Sequence, residues 1–182
     1  CVPRFSIGIS GEGRTLWTTK ISDNPYIDED EPEAFVTGLH HACEPIGSEI
    51  GLEFMRFLLA NYGSDPVATN LVNNYELYFC PVVNPDGYEY NRITNPNGGG
   101  MWRKNRRDNG DGSHGIDLNR NYSYFWGYDN SGSSGDGFDE TYRGLSPASE
   151  PEVAALQNFN SQHDFAIIVN YHSYGQYFLH PW

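Results

Sequence analysis

His41 and Glu44 stand three apart in the stretch Gly38-Leu39-His40-His41-Ala42-Cys43-Glu44. An apolar run, Ala34-Phe35-Val36, precedes it, and a helical pattern begins near Ile46. A strand end feeding a helix start is where open α/β sheets place ligands. An imidazole and a carboxylate at that spacing can turn inward and grip one ion. Taken alone, the pattern also fits a surface histidine near a helix N-terminus, with Glu44 favoured there by the helix dipole. His172 repeats the arrangement, because it ends a second apolar run, Ala166–Tyr171. If those two strands are parallel neighbours, His41, Glu44 and His172 meet at one carboxyl edge of the sheet. Two histidines and a glutamate with an open fourth position are the ligand pattern of a catalytic zinc site, with bonds of about 2.0–2.2 Å. A sulfur site would need more than the three cysteines Cys1, Cys43 and Cys80, and all-oxygen sites rarely recruit two histidines. A strand-end histidine satisfied by its neighbours is the other reading of His172.

A second group of chemistry-bearing residues lies between them. Six of the 11 Lys and Arg residues, namely Arg92, Arg103, Lys104, Arg106, Arg107 and Arg120, fall between positions 92 and 120. Within that span, Gly115-Ile116-Asp117-Leu118-Asn119-Arg120-Asn121 sets Asp, Asn and Arg in a row. Arginine binds carboxylates in bidentate fashion, and asparagine adds amide donors. Such groups beside a metal suit a substrate with a free carboxylate. A solvated basic loop with an Asn-rich turn has the same composition.

The elements that must position these residues are short. Arg4–Ser10 and Thr15–Ile21 read as strands joined by a hairpin turn at Gly11-Glu12-Gly13. Ser22–Glu33 reads as an acidic loop and Ala34–Leu39 as a buried strand. Ile46–Tyr62 has apolar residues at 46, 50, 54, 57 and 58, a helical face stopped by Gly63. Val67–Val72 adds a helical turn or two, and Tyr75–Val83 reads as a strand ended by a turn at Asn84-Pro85-Asp86-Gly87. Tyr88 to Leu145 is a long stretch rich in Gly, Asn, Asp and Tyr. A loop of that size inside a domain is functional or disordered, and its tryptophans and tyrosines favour order. Ser149 and Glu152 form a capping-box pattern opening a helix to about Asn160.

Bulk properties narrow the partners. A chain of 182 residues suits one domain with a sizeable core. A net charge of -13 argues against nucleic acid. No stretch is long or apolar enough to span a membrane, and no signal peptide opens the chain. Three cysteines cannot all pair within it.

The motifs together resemble the zinc metallocarboxypeptidases of the carboxypeptidase A, B and T group. The matching pieces are His40-His41-Ala42-Cys43-Glu44, residues 81–88, Met101-Trp102-Arg103-Lys104-Asn105-Arg106, residues 115–121, Thr141-Tyr142-Arg143-Gly144, Ser149-Glu150-Pro151-Glu152 and Tyr171-His172-Ser173-Tyr174. They occur in the family's order, and their details lean toward bacterial carboxypeptidase T-like members. The resemblance implies an α/β fold with a mixed, mostly parallel sheet flanked by helices. It implies zinc held by His41, Glu44 and His172, with Asp117 orienting the first histidine. It implies Arg103 at the scissile carbonyl, and Asn119 and Arg120 on the substrate's terminal carboxylate. Tyr174 matches a subsite tyrosine preceded by a cis peptide bond. The implied activity is release of C-terminal amino acids from peptides and proteins, in an extracellular, secreted setting.

Two departures stand out. Cys43 occupies the place of a subsite arginine, and a small buried thiol is the expected role. The family's catalytic glutamate and a mobile tyrosine follow the third ligand at a distance, whereas residues 173–182 contain no carboxylate. The expectation is therefore one partial catalytic domain over residues 1–182, truncated at both ends, which binds zinc and is inactive by itself. The alternatives are a non-catalytic zinc- or peptide-terminus-binding pseudoenzyme, or an inert fragment.

Overall fold

The computed structural model describes Cys1 and residues 4–180. Five strands form one mixed sheet in the order β1-β2-β4-β3-β5. They are β1 (Phe5–Ile9), β2 (Thr15–Ile21), β3 (Glu33–Gly38), β4 (Glu76–Cys80) and β5 (Phe165–Tyr171). β1 pairs with β2, and β2 with β4, in antiparallel fashion. β3 lies parallel to both β4 and β5. The parallel part thus comprises β3, β4 and β5, and the two strands that precede the histidines are neighbours within it.

Helices cover both faces, and alternation along the strands decides which side chains meet them. Leu77 and Phe79 of β4 and Val36 of β3 pack with Leu58, Ala68 and Val72 of α1 (Ile46–Asn61) and α2 (Pro66–Asn74). Tyr78, Cys80 and Phe35 point the other way, into a cluster with Val153, Leu156 and Phe159 of α4 (Pro151–Asn160). Burial on both faces makes β3 and β4 read as nearly continuous apolar runs. The face of α1 differs from the one the pattern suggested. Ile46, Ile50 and Phe57 are exposed, whereas Gly47, Ser48, Gly51 and Leu58 are buried. Small residues win there because the helix start lies close against the strand ends. A Cβ on Gly47 would sit 2.9 Å from the Tyr171 carbonyl oxygen, and one on Gly38 2.9 Å from the Gly47 carbonyl carbon.

Two local expectations are corrected. Asn84-Pro85-Asp86-Gly87 is not a turn that ends in loop but the start of α3 (Pro85–Thr94). Asn84 is its N-cap and accepts the Gly87 N–H, and Pro85 occupies the first turn, where its missing N–H costs nothing. Ser149 and Glu152 do not form a capping box. The N-cap of α4 is Glu150, without a side-chain cap bond, and Glu152 instead accepts the Gly11 N–H at 3.1 Å. Tertiary partners outbid the local motif.

The long segment after α3 is ordered by buried side chains that bond its backbone. Asn105 and Asn121 are 1% and 0% exposed. Asn105 accepts the Ile116 N–H at 2.8 Å and donates to Glu150 at 2.6 Å. Asn121 donates to the Arg143 and Ser146 carbonyls and accepts the Glu150 N–H. Lys104 donates to the Gly137 carbonyl at 2.8 Å. Each amide satisfies backbone groups that no sheet or helix reaches.

Candidate metal centre and anion-binding groups

Gly38 and Tyr171 are register partners in the parallel pair β3–β5. The chain leaves both strands at the same carboxyl edge, so His41 and His172 converge there. The two imidazole centroids are 4.6 Å apart. His41 Nδ1 lies 2.9 Å from Glu44 Oε1, and His172 Nδ1 lies 2.9 Å from Glu44 Oε2. The two Nδ1 atoms are 3.1 Å from each other. A tetrahedral zinc with bonds of about 2.0–2.1 Å separates its ligand atoms by roughly 3.3 Å. Two ring nitrogens and a carboxylate oxygen gathered at these spacings fit one such ion. One ligand atom from each of the three residues lies within 4.8 Å of the other two.

The surroundings support that charge. Asp117, 0% exposed, accepts from His41 Nε2 at 3.1 Å. This places the ring proton on Nε2 and leaves the Nδ1 lone pair facing His172 and Glu44. The other Asp117 oxygen accepts from Arg103 at 2.8 Å. Burial works against ionised Asp117, but His41 and Arg103 outweigh it and hold its pKa below the ordinary value. Burial likewise opposes a charged His41, yet hydrogen bonds to Asp117 and Glu44 raise its pKa. For Glu44, burial is overcome by His172, His41 and the Ser173 N–H, and the carboxyl stays well below the usual range. The cluster therefore favours positive charge at its centre, which a cation supplies.

The remaining groups are distributed around it. Arg103 reaches within 3.8 Å of Glu44 while bound to Asp117, so one guanidinium edge is held at the cluster. Asn119 Nδ2 lies 3.5 Å from His172 Nε2. Arg120 donates to the Gly132 carbonyl at 2.6 Å and to the Asn119 carbonyl at 3.1 Å. A 3-10 turn, Leu118–Arg120, capped by Asp117, carries both residues toward the edge. The Ser173–Tyr174 bond is cis, and the Tyr174 side chain is fully exposed rather than packed at the cluster.

The basic segment as a whole is not one anion site. Arg107 pairs with Glu150 at 2.7 Å, and Arg92 pairs with Glu89. Arg106 stacks over the rings of Tyr90 and Trp102. Only Arg103 and Arg120 of the six are placed near the metal ligands or their immediate neighbours. Cys43 is half-buried and free, and not fully buried as its small size suggested. Burial and Glu44 push its thiol up, so it remains protonated.

Sequence reasoning missed His40 and Tyr122. His40 is 1% exposed, and its Nε2 lies 2.6 Å from the Tyr122 hydroxyl. Burial pushes the His40 pKa down to about 3, helped by the neighbouring His172 and His41. Burial raises the Tyr122 phenol, which keeps its proton. The adjacent pair His40-His41 was the available signal, since a second histidine beside a ligand has few other reasons to be buried.

Comparison with known proteins agrees with this geometry. The profile described as zinc carboxypeptidase matches residues 1–182. A zinc carboxypeptidase of Saccharothrix mutabilis subsp. capreolus is 43% identical over 122 residues, 67% of this chain and 27% of that protein. Metallocarboxypeptidase A of Trichophyton tonsurans is 34% identical over 180 residues, 96% of this chain and 41% of that protein. The crystal structure of a carboxypeptidase A from Helicoverpa armigera superposes with a TM-score of 0.82 at 30% identity, covering 96% of this chain and 41% of that one. The chain thus spans 27% and 41% of the lengths of these two curated relatives.

Proposed function

This chain belongs to the zinc carboxypeptidase family, and from that premise we propose that the protein removes C-terminal residues from peptides and proteins by zinc-dependent hydrolysis. The family uses zinc, and its members are hydrolases. The observation that carries the reading is the convergence of His41 Nδ1, His172 Nδ1 and a Glu44 carboxylate at 2.9–3.1 Å.

His41, Glu44 and His172 would hold the metal, and Asp117 fixes the His41 tautomer that offers Nδ1. Zinc, when bound, supplies Lewis acidity toward the scissile carbonyl and toward water. Arg103 presents guanidinium N–H groups to the oxygen that gains negative charge, while Asp117 holds its other edge. Asn119 and Arg120 would receive the substrate's terminal carboxylate, with Arg120 exchanging the Gly132 carbonyl for that anion. Tyr174, exposed at the same edge, would line the path of the peptide. Glu44 would bind the metal, and Asp117 is held by His41 and Arg103, so neither is free to take a proton from water. We therefore place the proton-accepting glutamate outside residues 1–182, and residues 1–182 alone are expected to bind zinc with negligible turnover. Among the described residues no helix is long and apolar enough to cross a membrane. An extracellular setting is part of the same proposal.

The test uses the full-length protein with paired peptides, one with a free C-terminus and one amidated. Release of the terminal residue from the free peptide alone, abolished by a chelator and by His172→Ala, is the expected result. Equal cleavage of both peptides, or activity that persists without metal, would sink the reading.

A further inference from the structure

The three residues assigned to the metal are not equally supported. The His41 side chain is 5% exposed and that of Glu44 is 11%, whereas that of His172 is 31%. His41 has a carboxylate at its far nitrogen. Among the described residues, His172 has at its far nitrogen the Asn119 amide nitrogen at 3.5 Å, the outer limit of a hydrogen bond. The rings of His40 and His41 both lie beside the His172 imidazole.

We infer that His40, fixed by Tyr122, is a positioning residue that holds the His172 ring with Nδ1 facing His41 and Glu44. This rests on the zinc reading above. The His40 and His172 centroids are 5.9 Å apart with the ring planes tilted by 38°. The His41 ring lies 4.6 Å from the same imidazole. His172 therefore has neighbouring rings from both members of the His40-His41 pair. His40 is itself fixed at one end. The Tyr122 hydroxyl and His40 Nε2 share a hydrogen bond of 2.6 Å, which fixes the plane of the ring. Tyr122 in turn packs against the core cluster that includes Leu118, Val83 and Cys80. Rigidity passes from the core through the phenol to His40, and by ring contact to His172. An apolar ring at position 40 would fill the volume but leave the Tyr122 hydroxyl without its hydrogen-bond partner.

The experiment uses the full-length protein and the variants Tyr122→Phe, His40→Phe and the double substitution. Zinc affinity is measured by chelator competition, ligand geometry by the visible spectrum of the cobalt-substituted protein, and folding by thermal unfolding of the metal-free form. Each single variant should bind zinc about tenfold more weakly and shift the cobalt bands. The double variant should be no weaker than either single one, because both act through one contact. Native zinc affinity and an unchanged cobalt spectrum in Tyr122→Phe, with only the melting temperature lowered, would overturn the inference. Should His40→Phe not fold, Tyr122→Phe decides the matter by itself. Failure of the native protein to bind zinc would instead remove the underlying zinc reading, and this inference with it.

Discussion

Gly47 meets Tyr171 so closely that a single methyl group would collide with the backbone: a Cβ there would lie 2.9 Å from the Tyr171 oxygen and 3.2 Å from its Cβ. The first turn of α1 is thereby seated on the last residue of β5, one position before His172. The same helix start follows Glu44. The contact therefore sets the distance between two of the assigned ligands.

Gly47→Ala should consequently loosen both the fold and the site. Overpacking of this kind costs about 1–3 kcal/mol, read by denaturant unfolding of the metal-free protein. Zinc affinity should fall as well, since β5 must shift outward to admit the methyl group. Gly51→Ala, four residues along, is the control, because its Cβ would meet only Pro81 at 4.0 Å. Equal effects of the two would show that helix propensity, not the seat on Tyr171, governs both.

Asp117→Asn should weaken zinc binding by about 10–100-fold. The amide keeps the volume but loses the charge that both His41 and Arg103 face. If its NH₂ group turns toward His41, the imidazole must switch tautomer and offer Nδ1–H where a lone pair is needed. Chelator competition at neutral pH measures this. Affinity within twofold of the native protein would remove the orienting role.

Arg103→Met in the full-length protein should lower kcat by about 10²–10³-fold, the range for loss of one oxyanion donor. KM should change far less, since Arg120 and Asn119 are the groups assigned to the substrate carboxylate. Steady-state kinetics with a free-terminus peptide separates the two. A change confined to KM would reassign Arg103 to ground-state binding.

Glu152 should give stability a falling component as pH rises. Burial first, then Glu150 and Asp86, push its pKa from 4.5 to about 7. Its Oε2 is buried without a partner, while Gly11 N–H donates to Oε1. The folded state thus binds the proton more tightly than the unfolded chain. The contribution is fully present below pH 4.5 and is lost as pH rises through about 7. The difference amounts to about 3 kcal/mol. Neighbouring Asp86 and Glu150 are themselves paired with Arg14 and Arg107. Glu152→Gln should flatten the stability profile between pH 5 and 7 in denaturant titrations at a series of pH values. A parallel profile for the variant would place the titrating group elsewhere.

How much of this was legible in the chain differs from residue to residue. The apolar runs ahead of His41 and His172 named β3 and β5; the first is the plainer of the two because β3 is buried almost throughout, whereas most of β5 is exposed. The spacing of His41 and Glu44 named two ligands, since both lie in one turn and need only local geometry. The order of motifs named the family. Other features depended on residues far apart in sequence. That β3 and β5 are parallel neighbours is a pairing across more than a hundred residues, and no local pattern encodes a partner. The failed capping box at Ser149 shows the same limit: Glu152 found the Gly11 N–H across the fold and abandoned its own helix end. The true α3 start at Asn84 was readable from its Asn-Pro-Asp-Gly order, which serves a helix N-terminus as well as a turn. Burial decided between the two, as it decided which arginines remain near the site. Sequence determined which groups could do the chemistry. Tertiary structure alone decided which of them meet, because convergence at a sheet edge is a property of packing and not of spacing.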